Sequence, residues 1–298
     1  MVRHDAPTPI DVEPRSQHFL RTPAVARRVV AQARLRRHQL VIEAGAGSGM
    51  LTRALAEADA RVVAVEKDVR LFRSLRARFV GRTNVECHRA DILTFPLPRE
   101  PYAVVSNVPF SITAALVRRL LDAPNPPHDA WLLVQREAAM KFAGVPRESM
   151  FSLVRKPAFR FTIAGRIDRH EFVPPPPVDV ALLHIERRAR PLIDPRESAA
   201  YATFVRRAFR GGAHDVRTAL RRHITRRQLH RLASDHSFAL SARPSELRFE
   251  QWLALFRFVR RAASAHDPTR LRLLARSRRI HLPPHGRRML QPASRGAR

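Results

Sequence analysis

The sequence contains little cysteine and no long apolar run. Cys87 is the only cysteine among 298 residues, which excludes an internal disulfide and argues against a thiolate metal site. No stretch of about 18 apolar residues occurs, so we expect no transmembrane helix. The N-terminus also lacks the apolar segment of a secretory signal peptide. These absences predict a cytoplasmic protein that has no membrane partner and no metal.

Acidic residues are scarce relative to basic ones. Lys and Arg together number 55 against 26 Asp and Glu, which gives a formal charge of +29. All but three of these basic residues are arginine; the exceptions are Lys67, Lys141 and Lys156. An excess of this size indicates a polyanionic partner, most often nucleic acid. Net charge alone leaves an acidic membrane surface open as the alternative.

Short β-rich segments alternate with helical patterns from residue 40 to about 186. This alternation predicts an α/β fold with a mostly parallel sheet covered on both faces. Two further strand patterns, 159–167 and 178–186, have no helix between them and should form an antiparallel pair at the sheet edge. The prolines of 174–177 must then lie outside the ladder. The five parallel candidates are 40–44, 61–66, 84–88, 102–107 and 130–135.

Only helical patterns follow Pro195. One apolar stripe (Tyr201, Phe204, Val205, Ala208 and Phe209) ends at Gly211 and Gly212, and further helices are expected at 216–224, 227–233 and 249–259. The outward-facing arginines of the first helix are candidates for RNA binding: Arg206, Arg207 and Arg210. We therefore divide the chain into a disordered N-terminal arm (1–14), an α/β domain (15–190), a helical RNA-binding domain (191–260) and an Arg-rich disordered tail (261–298).

A glycine-rich turn joins the first strand of the α/β pattern to the helix after it. In "VIEAGAGSGM", Gly45, Gly47 and Gly49 allow a sharp turn and let a ligand approach the backbone closely. Glu66 ends the next strand, where a carboxylate is suited to accept both ribose hydroxyls of an adenosine-containing cofactor. At this point NAD and S-adenosylmethionine both fit.

The spacing of the glycines and the next acid favour S-adenosylmethionine. A dinucleotide site prefers G-x-G-x-x-G, whereas this loop reads G-x-G-x-G with Met50 at the third dinucleotide position. Asp91 follows the third strand, next to Ile92, and is placed to accept from an adenine amino group. A helix or turn cap is the alternative role of a lone Asp here. Its position after the glycine loop and Glu66 favours the binding role.

The fourth strand of the α/β pattern ends in "SNVPF", which suits a planar substrate. The exocyclic nitrogen of adenine is a poor nucleophile, because its lone pair is delocalised into the ring. The Asn107 oxygen and a backbone carbonyl could both accept from that amine and free the lone pair. Pro109 fixes the backbone, and Phe110 can stack on a flipped base. On its own, the segment could equally be a turn.

Taken in order, several segments resemble the rRNA adenine N6-methyltransferases, and among them most closely the Erm macrolide–lincosamide–streptogramin B resistance methylases. The resemblance covers about residues 15–260. It implies a Rossmann-like class I S-adenosylmethionine-dependent methyltransferase domain with a small all-helical C-terminal domain. It also implies methylation of an adenine in large-subunit rRNA, by a monomer acting before ribosome assembly is complete. The segments are "SQHFL" (16–20), "VIEAGAGSG", "VEKD", "ADIL", "SNVPFSIT" and "FVPPPPV".

The resemblance assigns the cofactor contacts and leaves rivals open. The small-subunit dimethyladenosine transferases share these motifs, but they more often read N-L-P-Y where this chain reads "NVPF". A non-catalytic RNA-binding factor on the same scaffold and a dinucleotide oxidoreductase are more distant alternatives. Arg136 and Lys141, after the fifth strand, are further candidates for RNA contact. The predicted cofactor-binding residues are Gln17, His18, Leu20, Gly45, Gly47, Glu66, Asp91, Ile92 and Asn107.

One residue departs from the family pattern. The family usually has Asn where this chain has His18. An imidazole can still donate one hydrogen bond, so we expect cofactor binding to survive with an altered dependence on pH.

Overall fold

The computed structural model describes residues 17–210 and 213–265. The predicted arm (1–14), Gly211, Gly212 and the tail beyond residue 265 lie outside the described residues. Within these ranges the strands are β1 (Phe19–Leu20), β2 (Leu40–Ala44), β3 (Arg61–Glu66), β4 (Val85–Arg89), β5 (Ala103–Asn107), β6 (Asp129–Gln135), β7 (Phe159–Ile167), β8 (Phe172–Val173) and β9 (Val180–Arg187).

The longer strands match the sequence predictions to within two residues at each end. The α-helices are α1 (Pro23–Ala33), α2 (Met50–Glu57), α3 (Val69–Arg78), α4 (Thr113–Asp122), α5 (Arg136–Ala143), α6 (Met150–Arg155), α7 (Ser198–Phe209), α8 (Val216–Leu220), α9 (Arg226–Asp235) and α10 (Phe249–Ala265).

Seven strands form one sheet in the order β4-β3-β2-β5-β6-β9-β7. The first five are parallel to their neighbours, and β9 pairs antiparallel with both β6 and β7. The predicted parallel sheet and its antiparallel edge pair are therefore confirmed, and the 174–177 prolines lie outside the ladder. Strands β3 and β4 are added on one side of β2, and β5 is then added on the other side. The topological switch point therefore lies between β2 and β5. In open α/β sheets, ligands bind outside the carboxyl ends of the strands at such a switch point.

Both faces of the sheet are buried, because alternate residues of each central strand enter different cores. Val41 packs with α1, α2 and α3 on one face, whereas Ile42 packs with α4 and α5 on the other. In β5, Val105 and Val104 divide in the same way. This double coverage explains why the strands read as continuous apolar runs.

The C-terminal helices surround a third core built from aromatic and aliphatic side chains. Trp252 is fully buried, and Phe204 packs edge-on against it with ring centroids 5.8 Å apart.

The helix predicted over 216–224 is shorter than predicted, because it ends at Leu220 and turns follow. The helix predicted to end at 259 continues to Ala265. None of the described helices is long and apolar enough to cross a bilayer.

A buried ion pair across α6 lies beside the contact between the segment after α5 and the C-terminal helices. Glu148 is buried; it pairs with Lys156 and accepts a 2.7 Å hydrogen bond from the Ser152 hydroxyl. Its backbone nitrogen donates to the carbonyl of Ser245, 2.8 Å away. Leu153 of the adjoining helix α6 enters the third core. This junction therefore couples the sheet domain to the C-terminal helices.

Breaking this pair should destabilise the fold strongly. Glu148→Gln leaves the Lys156 ammonium, whose side chain is only 17% exposed, without its counter-charge. We expect a loss of about 3 kcal/mol in the free energy of unfolding, measured by urea denaturation. The matched control is Glu186→Gln, which removes the exposed pair with Arg160 and should cost less than about 1 kcal/mol. Equal losses in the two variants would contradict a structural role for the buried pair.

Candidate active site

A cavity of about 560 Å³ lies at the carboxyl ends of the parallel strands. It contains every residue predicted from the sequence to bind cofactor or target base. Those residues are Gln17, His18, Leu20, Gly45, Gly47, Glu66, Asp91, Ile92, Asn107, Pro109 and Phe110. Residues separated by up to 93 positions in the chain thus meet at the topological switch point.

The opening of the cavity follows from how β2 and β5 pair. Their ladder joins Val41 and Ile42 to Ala103 and Val104, and it stops before either strand ends. Beyond it, the hydroxyl of Ser106 donates to the Ala44 carbonyl at 2.5 Å. The segments that follow the two strands both line the cavity.

The glycine loop is held against the end of β3 by backbone hydrogen bonds. The amides of Gly45 and Ala46 both donate to the Val65 carbonyl, at 2.8 and 3.1 Å. Gly45 has φ +72°, and a Cβ on it would lie 3.3 Å from the Pro109 ring. A Cβ on Gly47 would lie 2.8 Å from the Phe19 ring. Glycine is therefore required at both positions by conformation and by close packing.

Glu66 fixes the far side of the glycine loop. One oxygen of this buried carboxylate accepts from the Gly47 amide at 2.8 Å, and the other accepts from the Asp68 amide at the same distance. Each carboxylate oxygen has a second lone pair. The remaining lone pairs are the acceptor positions that the two hydroxyls of a ribose require.

Asp91 is held at the rim of the cavity by two donors. Its carboxylate accepts from the Leu93 amide at 2.9 Å and from the Lys67 ammonium at 3.0 Å. The Leu93 hydrogen bond, followed by that of Lys67, lowers the pKa of Asp91 below its usual value. The carboxyl is thus ionised and acts only as an acceptor at neutral pH. Asp91 also caps the turn that follows β4, because its carboxylate accepts from the amide of Leu93, two residues further along the chain.

Asn107 has its amide oriented by the N-terminal segment. The Nδ2 group donates to the His18 carbonyl at 2.6 Å. Because a carbonyl only accepts, this bond fixes which side of the amide carries the nitrogen. The Oδ1 atom is then left as the acceptor on the other side. The sequence did not predict that the backbone of His18 would orient Asn107.

The side chain of His18 contacts two other parts of the site. Its Nδ1 atom donates to the Pro174 carbonyl at 2.8 Å, and its ring lies 5.3 Å from the Phe110 ring between centroids. The first contact follows from the pairing of β1 with β8, which brings the N-terminal segment beside the proline run. The effect of His18 on cofactor affinity stays a prediction.

The backbone carbonyl available beside Asn107 is that of Val108. The carbonyl of Pro109 is already used, because it accepts from the Ile112 amide at 3.1 Å. Val108 is buried, and its amide donates to the Leu133 carbonyl of β6 at 3.1 Å. The tetrapeptide is therefore anchored to the sheet at one end and to a helical turn at the other.

The predicted RNA-contact residues do not line this cavity. Arg136 and Lys141 lie on α5, and Arg206, Arg207 and Arg210 lie on or directly after α7. All five are exposed. An RNA-binding role for them stays a prediction.

Glu43 is a buried acid that sequence reasoning did not assign to the site. It lines the cavity, is 2% exposed and accepts a 2.5 Å hydrogen bond from the Thr52 hydroxyl. Burial raises the pKa of Glu43 to about 8, although the hydrogen bonds from Thr52 lower it. The signal that could have identified it is a carboxylate in the middle of an otherwise apolar central strand.

The strand order, the glycine loop and the acids at successive strand ends define a class I methyltransferase, a class that uses S-adenosylmethionine. The chain belongs to the ribosomal RNA adenine dimethylase family, whose sequence profile matches residues 14–261.

Relatives of known name cover most of the chain. An rRNA adenine N-6-methyltransferase of Saccharopolyspora erythraea is 36% identical over 241 residues, which are 80% of this chain and 63% of that protein. This chain thus spans less than two thirds of that relative. The mycinamicin-resistance protein MyrB of Micromonospora griseorubida is 34% identical over 94% of this chain and 90% of its own length. The crystal structure of the 23S rRNA methyltransferase ErmE has 36% identity and a TM-score of 0.76, covering 81% of this chain and 99% of that one.

The titration of Glu43 should make stability depend on pH. Its pKa is about 8 in the folded protein against a usual value of 4.5, so the folded state holds a proton that the unfolded chain releases. Stability should therefore fall as pH rises from about 4.5 to 8 and should level off above 8.

The variant Glu43→Gln should remove this contribution, because an amide mimics the protonated acid. Urea denaturation of both proteins between pH 6 and 9 should show the wild type losing stability relative to the variant by up to about 1.4 kcal/mol per pH unit. A difference that stays constant across this range would show that Glu43 is ionised throughout.

Proposed function

We propose that this protein transfers a methyl group from S-adenosylmethionine to the N6 amine of an adenine in large-subunit rRNA. We also propose that the modification confers resistance to macrolide, lincosamide and streptogramin B antibiotics. The observation that carries the proposal is the position of the Asn107 amide. It lies in the same cavity as the glycine loop, Glu66 and Asp91, with Oδ1 free of the hydrogen bond that orients Nδ2.

The cofactor fits the cavity by the chemistry of its donors and acceptors. Glu66 offers acceptors for ribose hydroxyls, Asp91 offers an acceptor for the adenine amine, and Gly45 and Gly47 line the cavity without a side chain. When bound there, S-adenosylmethionine would supply an electrophilic methyl group on a sulfonium. Gln17, His18, Leu20 and Ile92 complete the proposed binding residues.

The target adenine would be held by the end of β5. Asn107 Oδ1 and the Val108 carbonyl would each accept one hydrogen of the N6 amine, which favours a tetrahedral nitrogen and frees its lone pair. Phe110 would stack on the base after it leaves the RNA helix. The N6 nitrogen would become cationic on accepting the methyl group and would then release a proton to water, so no strong general base is required.

RNA of the large subunit is favoured over that of the small subunit by the named relatives. One relative is named for resistance to mycinamicin, and a solved relative with 36% identity is a 23S rRNA methyltransferase. The small-subunit dimethyladenosine transferase is the second candidate, because the description of the family names no subunit. We propose that the protein acts as a monomer in the cytoplasm, on rRNA before ribosome assembly is complete.

Replacing Asn107 should abolish catalysis without unfolding the protein. Asn107→Ala removes the acceptor for the amine, and we expect transfer of labelled methyl to protein-free large-subunit rRNA to fall at least 100-fold. The circular dichroism spectrum and Tm should stay close to those of the wild type. Transfer at the wild-type rate would exclude Asn107 as a catalytic residue. If the wild-type protein transferred methyl groups only to small-subunit rRNA, the small-subunit dimethyladenosine transferase would be supported instead.

A further inference from the structure

A second depression lies beside the cofactor cavity. This α3 groove has a volume of about 390 Å³ and is open to solvent. It shares the lining residues Val69 and Arg89 with the cavity, so the two lie side by side. The groove is lined by Val69, Phe72, Arg73, Arg76, Ala77, Val80 and Arg89.

The charge of the α3 groove is uncompensated. Arg73, Arg76 and Arg89 are exposed, and no carboxylate of the described residues lies within 4 Å of their guanidinium groups. Arginines of neighbouring elements, by contrast, form ion pairs: Arg53 pairs with Glu57 along α2, and Arg37 pairs with Asp59. Three unpaired guanidinium groups around one depression favour a partner with several negative charges.

The apolar residues of the groove indicate which kind of polyanion it would bind. Phe72 is half-buried and belongs to none of the hydrophobic cores of the described residues, and Val80 is 78% exposed. An aromatic ring flanked by arginines suits unpaired nucleotides, whose bases stack on the ring while their phosphates pair with the guanidinium groups. A double helix would offer phosphates and 2′-hydroxyls to such a site, but no base face for stacking.

We propose that the α3 groove binds a single-stranded RNA segment that adjoins the target adenine. This inference rests on the proposed function, because it extends the path of the same substrate from the catalytic cavity onto α3. Arg73 and Arg76 contact phosphates, and Phe72 stacks on a base. Arg89 lies where the groove meets the cavity.

The phosphate contacts can be tested by the salt dependence of RNA binding. The double variant Arg73→Ala/Arg76→Ala is compared with Arg37→Ala/Arg53→Ala, which loses the same charge elsewhere. The probe is a hairpin RNA from the large-subunit target region whose loop is unpaired. Each lost phosphate contact lowers the slope of log Kd against log salt by about 0.7, so the groove variant should lose about 1.4. Its Kd at 0.1 M salt should rise roughly 10- to 30-fold.

Stacking is tested separately at Phe72. Phe72→Leu should raise the Kd about tenfold without changing the salt slope, whereas Phe72→Tyr should restore tight binding. A fully paired RNA duplex of the same length should not distinguish these variants from the wild type. Affinity for S-adenosylmethionine, measured by isothermal titration, should be unchanged in all of them, which shows that the cavity is intact.

The outcomes separate this proposal from the proposed function. If wild-type protein does not methylate large-subunit rRNA, the proposed function fails, while the comparison of groove and control variants still decides whether the groove binds RNA. If the wild type methylates this RNA and both double variants bind it alike, the groove proposal is wrong. If Phe72→Leu weakened binding to the duplex as much as binding to the hairpin, the groove proposal would also be wrong.

Discussion

The carboxylate of Glu66 is the contact on which the cofactor cavity depends. It accepts from the Gly47 amide and the Asp68 amide, and so joins the glycine loop to the turn that begins α3. Together with the Val65 carbonyl, it holds the loop in a conformation that only glycine adopts easily at Gly45 and Gly47. Glu66 therefore shapes the loop and is also the residue proposed to accept from the ribose hydroxyls.

Two loops meet at the switch point, where the glycine loop contacts the segment proposed to hold the target base. Gly45 lies against the Pro109 ring, so the loop after β2 sets the position of the segment after β5. The N-terminal segment closes the arrangement from the other side, since the His18 carbonyl orients the Asn107 amide. The proposed cofactor-binding and base-binding residues are thus held in place by contacts with one another.

Much of the fold and most of the cavity could be predicted from the sequence, for a physical reason. The motifs lie directly after parallel strands, and the carboxyl ends of such strands converge at one edge of the sheet. Strand periodicity therefore placed Glu66, Asp91 and Asn107 together without any knowledge of loop geometry. The contact of Phe19 with Gly47 and the pairing of β1 with β8 depend on long-range packing, which periodicity does not encode. We also predicted α8 too long, because Ile224 fits the apolar pattern of the helix. Ile224 is buried, but it lies in the turn that follows the helix.

The proposed methylation of one adenine in large-subunit rRNA can be tested by mapping methylated adenosines. The measurement is mass spectrometry of rRNA fragments from cells that express the protein. We expect N6 methylation at a single adenine of the large-subunit rRNA, in a segment with unpaired nucleotides beside it. Methylation found only in small-subunit rRNA, or an rRNA pattern identical to that of cells without the protein, would contradict it.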